Sequence, residues 1–385
     1  MNTKAFKKWR SPLARGIARQ VPVRVAQGFS LVELMIALVL GLLLVIGVTN
    51  LFMANSRANK LTEGLSMVQE NARTGLEMMM RDIREAGSTP CGGAASTTTT
   101  QGISAASILR GGQIPPDRWW ASTRNPILVV KPGVKMLTPT ETDLKPYSPP
   151  DTGTAGAIRE DSPVVMLVRN GDRVGVVKDH TSGVLTYNLG STTAPTFAIG
   201  DLSVVCNFGT ASTFRVGAVA TNSVTVAAAA AGEEQNNAAD LAEMYRGGAL
   251  ALLEPVVWYL GENRRTFSNA GTWNQRSLYR ATYRAGAWSS EEVVPGVEGM
   301  RVRVRRQGEA DYTAINSATA APFSPLWDAA GNPEAAAMQA WSDVVSVEIT
   351  LDLSSENGRL IDEAGVALPL RRSVTQVVAI RSRAQ

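Results

Sequence analysis

Hydrophobic residues follow two different periods along this chain. Residues 29–48 run almost without a polar side chain, interrupted only by Ser30 and Glu33. As a helix they are about 30 Å long, the thickness of a bilayer's hydrocarbon core. Further on, Leu61, Leu65, Val68, Ala72, Leu76, Met79, Ile83 and Ala86 recur every three or four residues. Lys60, Glu63, Glu70, Arg73, Arg81, Asp82 and Arg84 lie between them. The spacing predicts one helix from about Ser30 to Glu85, apolar all round at first and then amphipathic, laid across a sheet. Gly87 and Pro90 supply its stop.

Beyond Gly87 the period shortens towards two. Val164–Arg169, Leu202–Cys206, Val256–Leu260 and Leu278–Arg284 are predicted strands, and Asn170-Gly171-Asp172 is a predicted turn. Met300, Val302 and Val304 alternate with Arg301, Arg303 and Arg305. Val345, Val347, Ile349 and Leu351 alternate with Ser346, Glu348, Thr350 and Asp352, and Val374–Arg381 forms a last strand. Each has one core-facing side, as half-buried antiparallel strands require. The fold class is therefore α+β, a long N-terminal helix on an antiparallel β-sheet domain with long loop insertions. Residues 97–100, 227–239 and 310–340 read as loops, the last an insertion at one end of the sheet.

Charge changes the picture only at one end. Seven of the 38 Lys and Arg residues lie in 1–28, which hold no acid, so the remainder carries 31 basic against 34 acidic residues. Whole-chain basicity is thus no argument for a nucleic-acid partner, and none is expected. Basic residues before an apolar helix hold that end in the cytoplasm and leave the rest outside. A secretory signal peptide would have a shorter apolar region. A plain anchor would leave Glu33 unexplained, since a carboxylate in a membrane helix is costly.

The segment Gly28-Phe29-Ser30-Leu31-Val32-Glu33 resembles the processing site of type IV prepilins and pseudopilins. The resemblance implies a cut between Gly28 and Phe29 by a prepilin peptidase, with N-methylation of Phe29. It makes Glu33 the assembly contact, paired with the N-terminal amine of a neighbouring subunit. Buried opposite charges tolerate a membrane when they are paired. The implied organisation is a leader over 1–28, a transmembrane part over 29–52, an amphipathic part over 53–86 and a periplasmic β-rich domain over 87–385.

Little else points to chemistry. Cys91 and Cys206 are the two cysteines and His180 the single histidine. That argues against a zinc site and against a Cys–His nucleophile. In an exported domain two such cysteines suit one disulfide, the alternative being two unpaired thiols. No GxSxG, P-loop or HExxH occurs, so no catalytic residue, metal or cofactor is expected, and His180 beside Asp179 reads as a loop residue. Met78, Met79 and Met80 point to different helical faces and read as packing. The arginines at 301, 303 and 305 read as a solvent face paired with Glu348 and Asp352. Trp119-Trp120 beside Arg118 is the one candidate for an exposed aromatic-basic surface.

Further segments are similar to the large minor pilins of the PilW family: Arg84-Glu85-Ala86-Gly87 with Cys91, Asp201–Cys206 with Phe214, Ser277–Arg280, and Val294–Met300. This resemblance implies a subunit that helps initiate a pilus and sits at its tip. The implied partners are other minor pilins, the major pilin, the inner-membrane assembly platform and the lipid bilayer. The alternative is a type II secretion minor pseudopilin similar to GspJ. The long leader and the alanine-rich loop depart from the PilW pattern.

Overall fold

The computed structural model describes residues 30–93, 104–109, 119–121, 124–125, 127–132, 155–188, 196–226, 236, 238–263, 276–324, 326, 334–361 and 367–383. Residues 1–28 and Phe29 therefore lie outside the described residues, as do 97–100 and most of 227–239. The chain divides into two units, Met1–Arg57 and Ala58–Gln385. Helix α1, Leu31–Arg84, is 54 residues long, about 80 Å at 1.5 Å per residue. It stops where expected: Gly87 takes φ 64°, a left-handed conformation that glycine adopts without a Cβ penalty.

In the second unit a short hairpin, β1 (Ser88–Thr89) and β2 (Gly92–Gly93), follows the helix. Then come β3 (Ser104–Ser107), β4 (Ile127–Val130), β5 (Val164–Thr181), β6 (Val184–Tyr187), β7 (Leu202–Cys206), β8 (Thr210–Ala220) and β9 (Ser223–Val226). After them run β10 (Ala249–Glu262), β11 (Arg276–Arg284) and β12 (Ala287–Pro295). These form a sheet ordered β12-β11-β10-β7-β8-β9-β6-β5-β4, with β3 on β8 and a further pairing of β10 with β5. That last pairing closes β10, β7, β8, β9, β6 and β5 into a ring. Val177, Leu185, Tyr187, Val205, Phe214, Val216, Val224, Val226, Leu250 and Leu252, from all six strands, fill its interior. The other pairings are antiparallel, but β3 runs parallel to β8.

A second sheet is ordered β14-β13-β15-β16, with β13 at Val297–Arg306, β14 at Thr313–Ile315, β15 at Val344–Ile361 and β16 at Ala367–Ala379. Helix α2, Ala335–Ser342, precedes β15. Its Trp341 is buried against Phe323, ring centroids 5.0 Å apart, and donates its indole N–H to the Phe323 carbonyl. The 310–340 segment therefore contributes a strand, most of a helix and the core residue Phe323 where a loop was expected.

The amphipathic half of α1 buries Val68, Ala72, Leu76, Met79 and Ile83 against both sheets in one core. Gly75 marks its closest approach, since a Cβ there would lie 2.9 Å from Val294 Cγ2. Leu65 is 41% exposed and Leu61 half-buried, so the buried face starts later than the period suggested. Of the three methionines, Met79 and Met80 are buried and Met78 is exposed, as ordinary packing requires.

Two further expectations are corrected, and the one candidate aromatic-basic surface proves to be buried. Asn170-Gly171-Asp172 does not turn the chain; it lies inside β5 as a bulge, where pairing with β10 skips from Ala251/Val174 to Leu253/Asn170. Turn-forming residues here relax a ladder instead of reversing it. Because β5 runs on, His180 is a buried strand residue, its Nε2 3.0 Å from Asp240 Oδ1. Trp119 and Trp120 are also buried, at 3% and 1% exposure, and offer no surface.

Cys91 and Cys206 form the disulfide, with Cα atoms 6.0 Å apart at a sequence separation of 115. Non-reducing peptide mapping should recover the linked pair, and reduction should lower stability by about 2–4 kcal/mol. Two free thiols in the folded protein would contradict this.

Candidate functional site: the apolar helix and its seating

The first half of α1 is apolar around its whole circumference. Consecutive Leu42, Leu43 and Leu44, about 100° apart around the axis, are 62%, 60% and 70% exposed. Among the described residues α1 is the one helix long and apolar enough to cross a membrane. Ser30 caps it: its Oγ accepts the Val32 N–H at 3.3 Å and its carbonyl the Leu34 N–H at 3.0 Å. Glu33 sits in the first turn, where a carboxylate meets the positive end of the helix dipole. No other charge occurs between it and Arg57. The one hydroxyl in the middle of this stretch, Thr49, donates to the Val45 carbonyl at 2.7 Å. That satisfies it inside the helix, which lipid surroundings demand.

The C-terminal end of α1 is seated by charge as well as by packing. Asp82 was expected on the polar face, yet it is buried at 4% exposure. Its Oδ2 accepts the Trp258 indole N–H at 3.0 Å and the Arg280 Nε–H at 2.8 Å. Arg169, in β5, lies 3.3 Å from Asp82 and donates to Glu85 at 2.8 Å and to Glu254 at 2.6 Å. Arg284 then joins Glu254 to Asp201. Desolvation pulls the Arg169 pKa down, but Glu254, Asp82 and Glu85 together outweigh it and hold the guanidinium above its ordinary value. Strands β5, β10 and β11 are thus tied to the last turns of the helix by alternating charges. The sequence did hold a signal for this: Met79, Asp82, Ile83 and Ala86 share one face, so the acid falls inside the apolar period.

On the second sheet the arginine strand is paired as expected. Arg301 makes a two-pronged contact with Asp352 at 2.8 and 3.0 Å, and Arg303 meets Glu348 at 2.9 Å. Arg305 donates to Ser346 and lies over the Tyr312 ring. No group of three or more His, Cys, Asp and Glu that could hold a metal occurs among the described residues.

A family model matches residues 23–49, the stretch that holds Gly28, Phe29, Glu33 and the apolar helix, and is described as the prokaryotic N-terminal methylation motif. The chain carries a prokaryotic N-terminal methylation motif. The motif supports a type IV pilin-like or pseudopilin protein, with processing by a prepilin peptidase and anchoring in a membrane by the helix. Gly28 and Phe29 lie within the matched stretch but outside the described residues, while Glu33 is on the first turn of α1. Neither a curated protein nor a solved structure matches the chain.

Proposed function

We propose that this protein is a minor pilin of the PilW kind, cut after Gly28, methylated on Phe29, and assembled at the tip of a type IV pilus with its β-rich domain in the periplasm beforehand. The observation that carries this reading is the methylation motif at the start of a helix whose first half is apolar, with Glu33 its one charge before Arg57. The helix enters a bundle of like helices, and Glu33 meets the N-terminal amine of an adjoining subunit. In lipid that pairing removes the cost of an isolated carboxylate. Intact-mass analysis of the membrane-bound protein should give a chain beginning at N-methylated Phe29. Retention of Met1–Gly28 in cells with active prepilin peptidase would overturn the processing site.

Size supports placement at the tip. Residues 87–385, if compact, have a radius of gyration of about 19 Å, against about 14 Å for a domain of roughly 130 residues. Shaft subunits pack side by side, so a head this large collides with lateral neighbours, whereas the tip leaves one side open. Quantitative mass spectrometry of sheared pili should find this chain far below the major pilin, and deleting the gene should deplete surface pili while major pilin stays in the membrane. Near-equal amounts would overturn the tip assignment. Loss of protein secretion with pili intact would select the type II pseudopilin reading in its place.

A further inference from the structure

Strand β16 ends the second sheet, and no described strand pairs with its outer side. The Ile380 N–H donates to the Val345 carbonyl at 2.9 Å, and Ser346 stands opposite Ala379. Antiparallel ladders alternate bonded and non-bonded pairs. Residues 372, 374, 376, 378 and 380 therefore bond to β15. The N–H and C=O groups of Arg371, Ser373, Thr375, Val377 and Ala379 turn away from it, a row of donors and acceptors along an exposed edge.

Folded proteins blunt such edges with charge, proline, bulges or a covering element. Here those devices stand only at the ends. Pro369, Arg371 and Arg372 lie at one, Arg381 at the other, and residues 373–379 carry neither charge nor proline. The pairing of residues 373–379 with β15 is also unbroken by a bulge. Val377, on the outer face, is 52% exposed. Beside the edge an open groove runs between α1 and β16, lined by Ala72, Leu76 and Val374 together with Arg372, Gln376 and the mutually paired Arg73 and Glu77. An added strand would lay one row of side chains into that groove and the other beside Ser373, Thr375 and Val377.

The charge of the edge selects the occupant. Residues 367–383 contain Arg371, Arg372, Arg381 and Arg383 and no acid. Among the described residues Arg372 and Arg381 are exposed and make no ion pair, and Arg371 approaches Glu298 only to 4.0 Å. We propose that β16 is a docking edge that takes an extended, acidic strand of a different polypeptide by β-addition, small apolar residues of that strand facing Ala72, Leu76 and Val374. Main-chain bonds give the affinity and the flanking arginines choose the partner. This inference rests on the exposed edge and its charge, not on the pilus reading.

The test uses the full-length chain in its own membranes, with the photo-reactive residue p-benzoylphenylalanine in place of Val377. Irradiation should link it to an acid-bearing segment of another protein, located by mass spectrometry of the linked peptide. Thr375→Pro removes an outward N–H while leaving the β15 ladder intact, and should cut the yield about tenfold, since several main-chain bonds are lost together. Thr375→Val, which keeps that N–H, should leave the yield unchanged. If Thr375→Pro fails to form the Cys91–Cys206 disulfide, the pair Arg371→Glu and Arg372→Glu replaces it, with a comparable loss expected. Links only to lipid or to a second copy of this chain, no link at all, or yields indifferent to both changes would overturn the proposal. A linked acidic strand from a protein without a methylation motif would uphold it while counting against assembly among pilins.

Discussion

Glu33→Ala should leave the protein in the membrane and reduce its incorporation into filaments by at least about tenfold, the loss expected when one partner of a buried ion pair is removed. The two halves of that result oppose each other. Taking the carboxylate out of the apolar helix removes a group whose insertion costs roughly 2.5–3.5 kcal/mol, so membrane insertion is as good or better. On the proposed pairing, however, the N-terminal amine of the adjoining subunit is then left in lipid without its counter-charge. Fractionation of membranes and sheared filaments, with immunoblotting of both, separates the two effects. Normal incorporation of the variant would sink the pairing of Glu33 with the Phe29 amine. Glu33→Asp, which keeps the charge but shortens its reach, should fall between.

Asp82→Ala should destabilise the head by about 3–5 kcal/mol, the range for stranding buried charges. Arg169 and Arg280 both lose a carboxylate within 3.3 Å, and the Trp258 N–H loses its acceptor. Glu77→Ala supplies the contrast. Glu77 lies on the exposed side of the same helix, its side chain 60% exposed and paired with Arg73 at 2.7 Å. Its loss should cost under about 1 kcal/mol. Urea unfolding of both variants in detergent, followed by tryptophan fluorescence, makes the comparison. A loss below about 1 kcal/mol for Asp82→Ala would show that the cluster is seated by packing alone.

What could be read from the chain was whatever repeats with one period or stands as a contiguous motif. The long helix, its stop at Gly87, the strands around Leu202–Cys206 and Met300–Val304, and the arginine pairs all announce themselves in that way. The methylation segment is legible because its parts are adjacent. What was not legible depends on residues far apart. Closure of the ring needs β10 to meet β5 and β7 at once, and no local pattern encodes a shared strand. Asn170-Gly171-Asp172 has turn chemistry, yet pairing with Leu253 on one side and Val174 with Ala251 on the other holds it in line. Trp119 and Trp120 are core residues because Trp288 and the rest of the core lie against them. Asp82 shows the same limit from the opposite side. Its position in the apolar face was visible, but its neutralisation depends on Arg169 and Arg280, which arrive from β5 and β11.

The disulfide also settles where tension on the anchoring helix goes. Chain leaving α1 passes through the β1–β2 hairpin, whose turn contains Cys91, and Cys91 is bonded to the last residue of β7, one strand of the closed ring. Besides the packed face of α1, a pull along the helix therefore reaches the head by two routes, the Asp82 charge cluster and one covalent cross-link. The first yields when its ion pairs part. The second does not, and it delivers the load to strands paired on both sides, where none can be peeled from a free edge.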